Sequence, residues 1–199
     1  MTGSSQPTLD DLRRARGEGW QWPRTATDAC PQCGFHSAAL AHSELGPKLL
    51  ELVAAWREFL LAADEAYLRT NPEPGVFSPL QYGAHVRDIL RVYADRIRLA
   101  VAEDNPTFPQ FNPGEEVWEA YNQLGASELA GDLGAQARRL ATVLGDLAPG
   151  GWSRTLTRDG GKDGVFTFTV SGQACYAVHE AHHHLLDANG TLPHAGVTQ

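Results

Sequence analysis

Ser78-Pro79-Leu80-Gln81-Tyr82-Gly83-Ala84-His85-Val86-Arg87-Asp88 contains the clearest helix start in the chain. Ser78 suits the cap, and Pro79 suits the first helical position, where its missing N–H costs nothing. Gln81 stands three residues after the cap, the spacing of a capping box. The inward stripe then reads Tyr82, His85, Ile89, Val92, Tyr93, Arg96 and Ala100, recurring every three or four residues. His85 therefore lies on or beside the buried face of a long helix.

Similar stripes lie on either side of this one. Upstream, Leu45, Leu49, Leu52, Trp56, Leu60, Ala63 and Tyr67 form one apolar face, which stops before Asn71-Pro72-Glu73-Pro74-Gly75. Downstream comes a loop over 104–111, rich in proline and phenylalanine, and then a cap-like Asn112-Pro113-Gly114-Glu115 opening a short helix through Trp118 and Tyr121. Ser127 is placed to cap a longer helix with Leu129, Leu133, Ala137, Leu140, Leu144 and Leu147 on one side, closed by Pro149-Gly150-Gly151. Residues 152–158 and 164–168 alternate around an Asp-Gly-Gly turn in the manner of a small β-hairpin. A last helix runs from about Ser171 to Asn189-Gly190, where glycine suits a left-handed cap.

Four helices with one apolar face each, joined by short or modest connections, predict an all-α antiparallel up-down-up-down four-helix bundle. It spans residues 43–190, behind an irregular N-terminal extension over 1–42 with a short amphipathic helix at 9–16, and is followed by a flexible tail over 191–199.

The chain has 199 residues and a mass of 21.6 kDa, enough for one domain with a sizeable core. A formal charge of −8 argues against nucleic acid as the main partner, since phosphate contacts need a positive surface. Apolar runs such as Phe59-Leu60-Leu61-Ala62-Ala63 are too short to span a bilayer. No apolar segment follows Met1-Thr2-Gly3-Ser4-Ser5, so the cytoplasm is the expected location. The three cysteines, an odd number, argue for thiols or metal ligands over a disulfide framework. Exposed bundle faces and the tryptophan-rich extension leave room for a homodimer.

Val178-His179-Glu180-Ala181-His182-His183-His184-Leu185-Leu186-Asp187 holds four of the eight histidines. With His179 at 0° on a helical wheel, His183 falls at about 40°, while Glu180 and His184 fall near 100° and 140°. His179 and His183 can thus converge on one ion, with His85 from the second helix as third ligand. Three imidazoles with one open position suit zinc, and nickel, iron or manganese also fit. On this reading Glu180 and His184 form a solvated or outer pair. His182, near 300°, borders the ligand stripe as an orienting residue. Asp88, one turn past His85, is the candidate partner for that ring's other nitrogen, and Tyr82 and Cys175 are candidates to line the site. Cys30-x2-Cys33-Gly34 has the look of a zinc-knuckle turn that His36 and His42 could complete as a separate structural site; a redox-active or reduced thiol pair is the competing reading. An ordinary set of hydrogen-bonded histidines is the alternative to any metal.

Three blocks carry a family resemblance: Tyr82-Gly83-Ala84-His85-Val86-Arg87-Asp88, Trp152-Ser153-Arg154 with the hairpin ending in Phe166-Thr167-Phe168-Thr169-Val170, and residues 176–187. Over roughly residues 43–188 the chain resembles the DinB-like superfamily. The resemblance implies a four-helix bundle with a metal held by one histidine of the second helix and two, four apart, of the last, here His85, His179 and His183. It also implies a kinship with bacterial thiol-dependent S-transferases and isomerases, notably mycothiol-dependent ones. The expectation is a metal-dependent enzyme that activates a low-molecular-weight thiol such as mycothiol against an electrophilic substrate, its catalytic residues otherwise unknown. A metal-dependent hydrolase, and a non-catalytic metal-binding bundle with a stress, regulatory or scaffold role, are the alternatives.

Overall fold

In the computed structural model, which describes residue 24, residues 26–109, residue 111, residues 114–159 and residues 164–192, Ser78 starts its helix as the sequence predicts. Its Oγ accepts from the Gln81 N–H at 3.2 Å, and Gln81 Oε1 accepts from the Ser78 N–H at 2.8 Å. The helix so capped is α3, Pro79–Ala102. Before it come α1, His42–Ala62, and the short α2, Glu65–Arg69. The predicted first helix ran on to Tyr67; the chain breaks earlier because Asp64 accepts from the N–H groups of Ala66 and Tyr67 at 2.9 and 3.2 Å and starts a new helix.

After α3 follow α4, Glu115–Tyr121, α5, Ala126–Gly145, and α6, Val170–Ala188. Gly125, not Ser127, occupies the cap of α5. Thr169 caps α6, its hydroxyl accepting from the Gly172 N–H at 3.0 Å. At the other end Gly190 takes φ +70°, and its N–H reaches the Asp187 carbonyl at 3.1 Å while Thr191 N–H reaches that of Leu186 at 2.9 Å. That is a Schellman motif, which needs the left-handed residue.

Strand β2, Thr155–Asp159, pairs antiparallel with β3, Val165–Thr169, from Thr155 opposite Thr169 to Asp159 opposite Val165. The hairpin is therefore present, with Trp152 left in the preceding turn. The sheet has a third strand within the stretch expected as loop: β1, Thr107–Pro109, parallel to β2. Three residues are too few to show a period, and proline suits only an edge. The expected helix at 9–16, the Asp-Gly-Gly turn beyond Asp159, the Asn112-Pro113 start and nearly all of the tail lie outside the described residues.

The four long helices form the expected bundle, and the chain takes an unusual course through it. α1 packs against α5 and α6, and α3 against the same two, so that α1 and α3 sit across a diagonal. His42 meets Ser171 at 2.9 Å and Tyr67, just past α1, meets the Ala188 carbonyl at 2.8 Å; α1 and α6 run parallel. Arg87 faces Asp132 and Arg139 bonds Asp95, so α3 and α5 are also parallel. His85 lies by Glu180 and Tyr93 by Tyr176, which makes α3 and α6 antiparallel. The order is up-down-down-up rather than up-down-up-down, because the segment between α3 and α5, with β1 and α4, returns along the bundle. Trp56, Leu60, Leu90, Ile97, Leu133 and Leu140 fill the core. The Trp56 indole donates to the Ala181 carbonyl at 2.8 Å, fixing α1 against the middle of α6.

Candidate metal centre

The α6 helix brings its histidines to two neighbouring faces, each looking at a different partner. On the face toward α3, the Nε2 atoms of His85 and His184 both point at one carboxylate oxygen, Glu180 Oε2, at 3.4 and 3.3 Å. The three donor atoms lie within 4.8 Å of one another. Glu180 is buried, His184 nearly so, and the His85 side chain keeps 20% of its surface exposed, so the group opens on the His85 side. Tyr82 stacks on the His184 ring at 5.1 Å between centroids, while Phe77 and Phe111 flank His85 at 6.2 and 6.4 Å.

The other face looks toward the N-terminal segment. Cys30 Sγ lies 3.7 Å from His183 Nδ1, and Cys33 Sγ lies 3.7 Å from His179 Nε2. These four donors also fall within 4.8 Å of one another. Asp187 stands between the two faces: its Oδ2 accepts from His184 Nδ1–H at 2.8 Å and lies 3.5 Å from His183 Nε2.

The structure thus divides the ligands expected together. Among the described residues no group of donors within 4.8 Å joins His85 to His179 and His183. His85 meets Glu180 and His184 instead, the pair read from sequence as solvated or outer. The two pairs fall in separate donor groups, and which pair faces α3 depends on how α6 is rotated in the bundle. His36 and His42 likewise do not complete the cysteine pair. His36 Nε2 is 3.0 Å from the Thr27 carbonyl, and His42 bonds Ser171 and stacks on Trp152 at 4.0 Å. Asp88 accepts from the Tyr121 hydroxyl at 2.6 Å and from Arg87 Nε at 3.0 Å, tying α3 to α4. His182 stacks on Phe35 at 4.5 Å. Cys175 is buried one turn before His179, and burial pushes its thiol pKa up.

Electrostatics favour positive charge at both faces. Burial alone would raise the Glu180 pKa, yet the charge of His184 and the close imidazoles of His179 and His85 hold it well below the usual carboxylate range. Burial would lower His184, but Glu180 and Asp187 outweigh it and push it up to about 10. His179 rises to about 9 against the same burial through Cys30 and Glu180. The Cys33 thiol hydrogen-bonds Cys30 and lowers its pKa, with help from His179 and His183, while Cys33 itself is raised. Protons or a metal cation would satisfy these anionic groups.

The donors toward α3 fit a metal. Around a tetrahedral zinc with bonds of about 2.1 Å, neighbouring N and O ligands lie about 3.4 Å apart. The observed 3.3 and 3.4 Å match, and exceed a good N–H···O hydrogen bond. Two histidines and a carboxylate leave a coordination position open, the arrangement of catalytic sites.

Fold and donors together define a helical bundle with side chains able to ligate a metal gathered in and beside its core. The sequence pattern of the DinB superfamily matches residues 48–188, and the chain belongs to that superfamily. Among solved structures it is similar to YfiT from Bacillus subtilis, described as a probable metal-dependent hydrolase with an unusual four-helix bundle topology. The TM-score is 0.64 at 18% identity, over 75% of this chain and 84% of that one. No curated protein matches. Among the described residues no helix is long and apolar enough to cross a membrane.

Proposed function

We propose that this chain is a metal-dependent thiol S-transferase whose metal is held by His85, Glu180 and His184. The observation that carries the site is the convergence of two imidazole nitrogens on one buried carboxylate oxygen at 3.3 and 3.4 Å, a group of three donors. A divalent cation there, zinc by its donor set, makes a bound thiol acidic enough to be a nucleophile near neutral pH. A low-molecular-weight thiol of the mycothiol type is the nucleophile we assign, on the strength of the blocks around His85 and along α6.

The residues of the chain do the positioning. Asp187 holds His184 Nδ1–H, which leaves Nε2 free to ligate. Tyr82 stacking fixes that ring. Phe77 and Phe111 give the His85 side apolar walls for the carbon part of a substrate. In the reaction the thiol loses its S–H proton to solvent, sulfur bonds the electrophilic carbon, and the leaving group departs with its electron pair. Hydrolysis, with water in the thiol's place, is the second reading, favoured by the description of YfiT.

The test is an activity screen of zinc-loaded protein with mycothiol, bacillithiol and glutathione against 1-chloro-2,4-dinitrobenzene, beside hydrolysis of a p-nitrophenyl ester. Thiol-dependent turnover that is lost with chelator and in His85→Ala supports the transferase. Ester hydrolysis without thiol dependence moves the assignment to hydrolase, and chelator-insensitive turnover rejects both.

A further inference from the structure

The thiols of Cys30 and Cys33 have no place in that chemistry, and they lie outside the region matched by the superfamily. We propose that Cys30, Cys33, His179 and His183 form a second, closed zinc site that fastens the N-terminal segment to α6.

Geometry carries the proposal. With Zn–S of about 2.3 Å and Zn–N of about 2.1 Å, a sulfur and a nitrogen on one tetrahedral zinc lie about 3.6 Å apart. Both sulfur–nitrogen pairs here lie at 3.7 Å, and each pairs one cysteine with one histidine. The turn that presents the thiols is built for two ligands. Gly34 N–H bonds the Cys30 carbonyl at 2.8 Å, Cys30 N–H bonds that of Phe35 at 2.9 Å, and Gly34 holds φ +71°. A Cβ at Gly34 would meet nothing within 4 Å, so glycine serves the backbone angle there, not space. His179 and His183, one turn apart, supply the other half. Four protein ligands of Cys₂His₂ type leave no open position, which sets this site apart from the three-donor group beside it and marks it as structural.

The consequence is a link of about 150 residues in sequence, closed by one ion. Among the described residues the segment also meets α6 through the stacking of Phe35 on His182 and through the 3₁₀ turn Ser37–Ala39. Because Asp187 touches both His183 and His184, the closed site also steadies the helix turn that carries the open one.

The experiment is cobalt substitution of the full chain, read by absorption, with zinc content measured in parallel. Wild type is expected to show thiolate-to-cobalt charge transfer and intense tetrahedral d–d bands, and to lose one equivalent of zinc on titration with a mercurial. Cys30→Ser and Cys33→Ser each lose the charge-transfer band, while His85→Ala keeps it and loses only the thiol-free cobalt signal. Failure of the transferase reading leaves this pattern unchanged. Should the serine variants not fold, sulfur and nitrogen scattering in the zinc X-ray absorption spectrum of His85→Ala, in which the open site is lost, decides: two of each per zinc supports the site. A Cys30–Cys33 disulfide in protein purified aerobically at full zinc content, or zinc without sulfur ligands, overturns it.

Discussion

Asp187 touches a histidine of each donor group. Its carboxylate accepts from His184 Nδ1–H at 2.8 Å, and it lies 3.5 Å from His183 Nε2. An outer carboxylate of this kind fixes tautomer and ring angle, and losing one costs roughly 10–100-fold in metal affinity or activity. Asp187→Ala is therefore expected to weaken zinc binding by about that factor in competition with a chromophoric chelator. Asp187→Asn, which keeps an acceptor oxygen, should lose less. Unchanged affinity in Asp187→Ala would mean that Tyr82 stacking alone orients His184. At the neighbouring position, Glu180→Gln keeps the shape but removes the charge toward which both Nε2 atoms point. Zinc at the open site should fall below stoichiometric while the zinc held by the cysteines stays.

The helix ends decide where these side chains stand. α3 carries His85 less than two turns from its cap, so the capping box sets the height of one ligand. Ser78 Oγ also lies 2.8 Å from Asn122 Oδ1, joining the cap to the end of α4. Ser78→Ala should cost about 1 kcal/mol for the cap, plus part of that second bond, in urea denaturation. At the far end of α6, Gly190 at φ +70° closes the Schellman motif just past Asp187. Gly190→Ala forces an L-residue into the left-handed region at about 1–2 kcal/mol, seen as a lower denaturation midpoint at unchanged slope. A neutral outcome would place the end of α6 out of the cooperative unit.

Across the whole molecule, α6 is held from three sides: by α1 through Trp56, by α3 through the donors at Glu180, and by the N-terminal segment through the cysteines. Trp56 is fully buried and bonds the Ala181 carbonyl. Trp56→Ala should cost about 3–5 kcal/mol, or roughly 2–4 °C in Tm for each kcal/mol in a chain of this size. Metal bound only to the native state adds its own increment, about 2.7 kcal/mol per site at a hundredfold excess over Kd. Chelation should lower Tm in wild type, and by less in Cys30→Ser and in His85→Ala, measured by calorimetry.

The sequence alone determined the parts. Capping at Ser78, the apolar stripes, the hairpin and the Gly190 terminus are local, written in the period of side chains and in backbone preferences, so they could be read without partners. The wheel also separated His179 and His183 from Glu180 and His184. Three things were left to the tertiary structure. The return of the chain between α3 and α5 makes α1 and α3 diagonal, and no local signal encodes a path. β1 exists only because β2 offers it an edge. The rotation of α6 in the bundle, set by Trp56 and the packing of α3, turns Glu180 and His184 to His85 and gives His179 and His183 to the cysteines about 150 residues earlier in the chain. A helix carries its own spacing, and only its neighbours decide which face each residue presents.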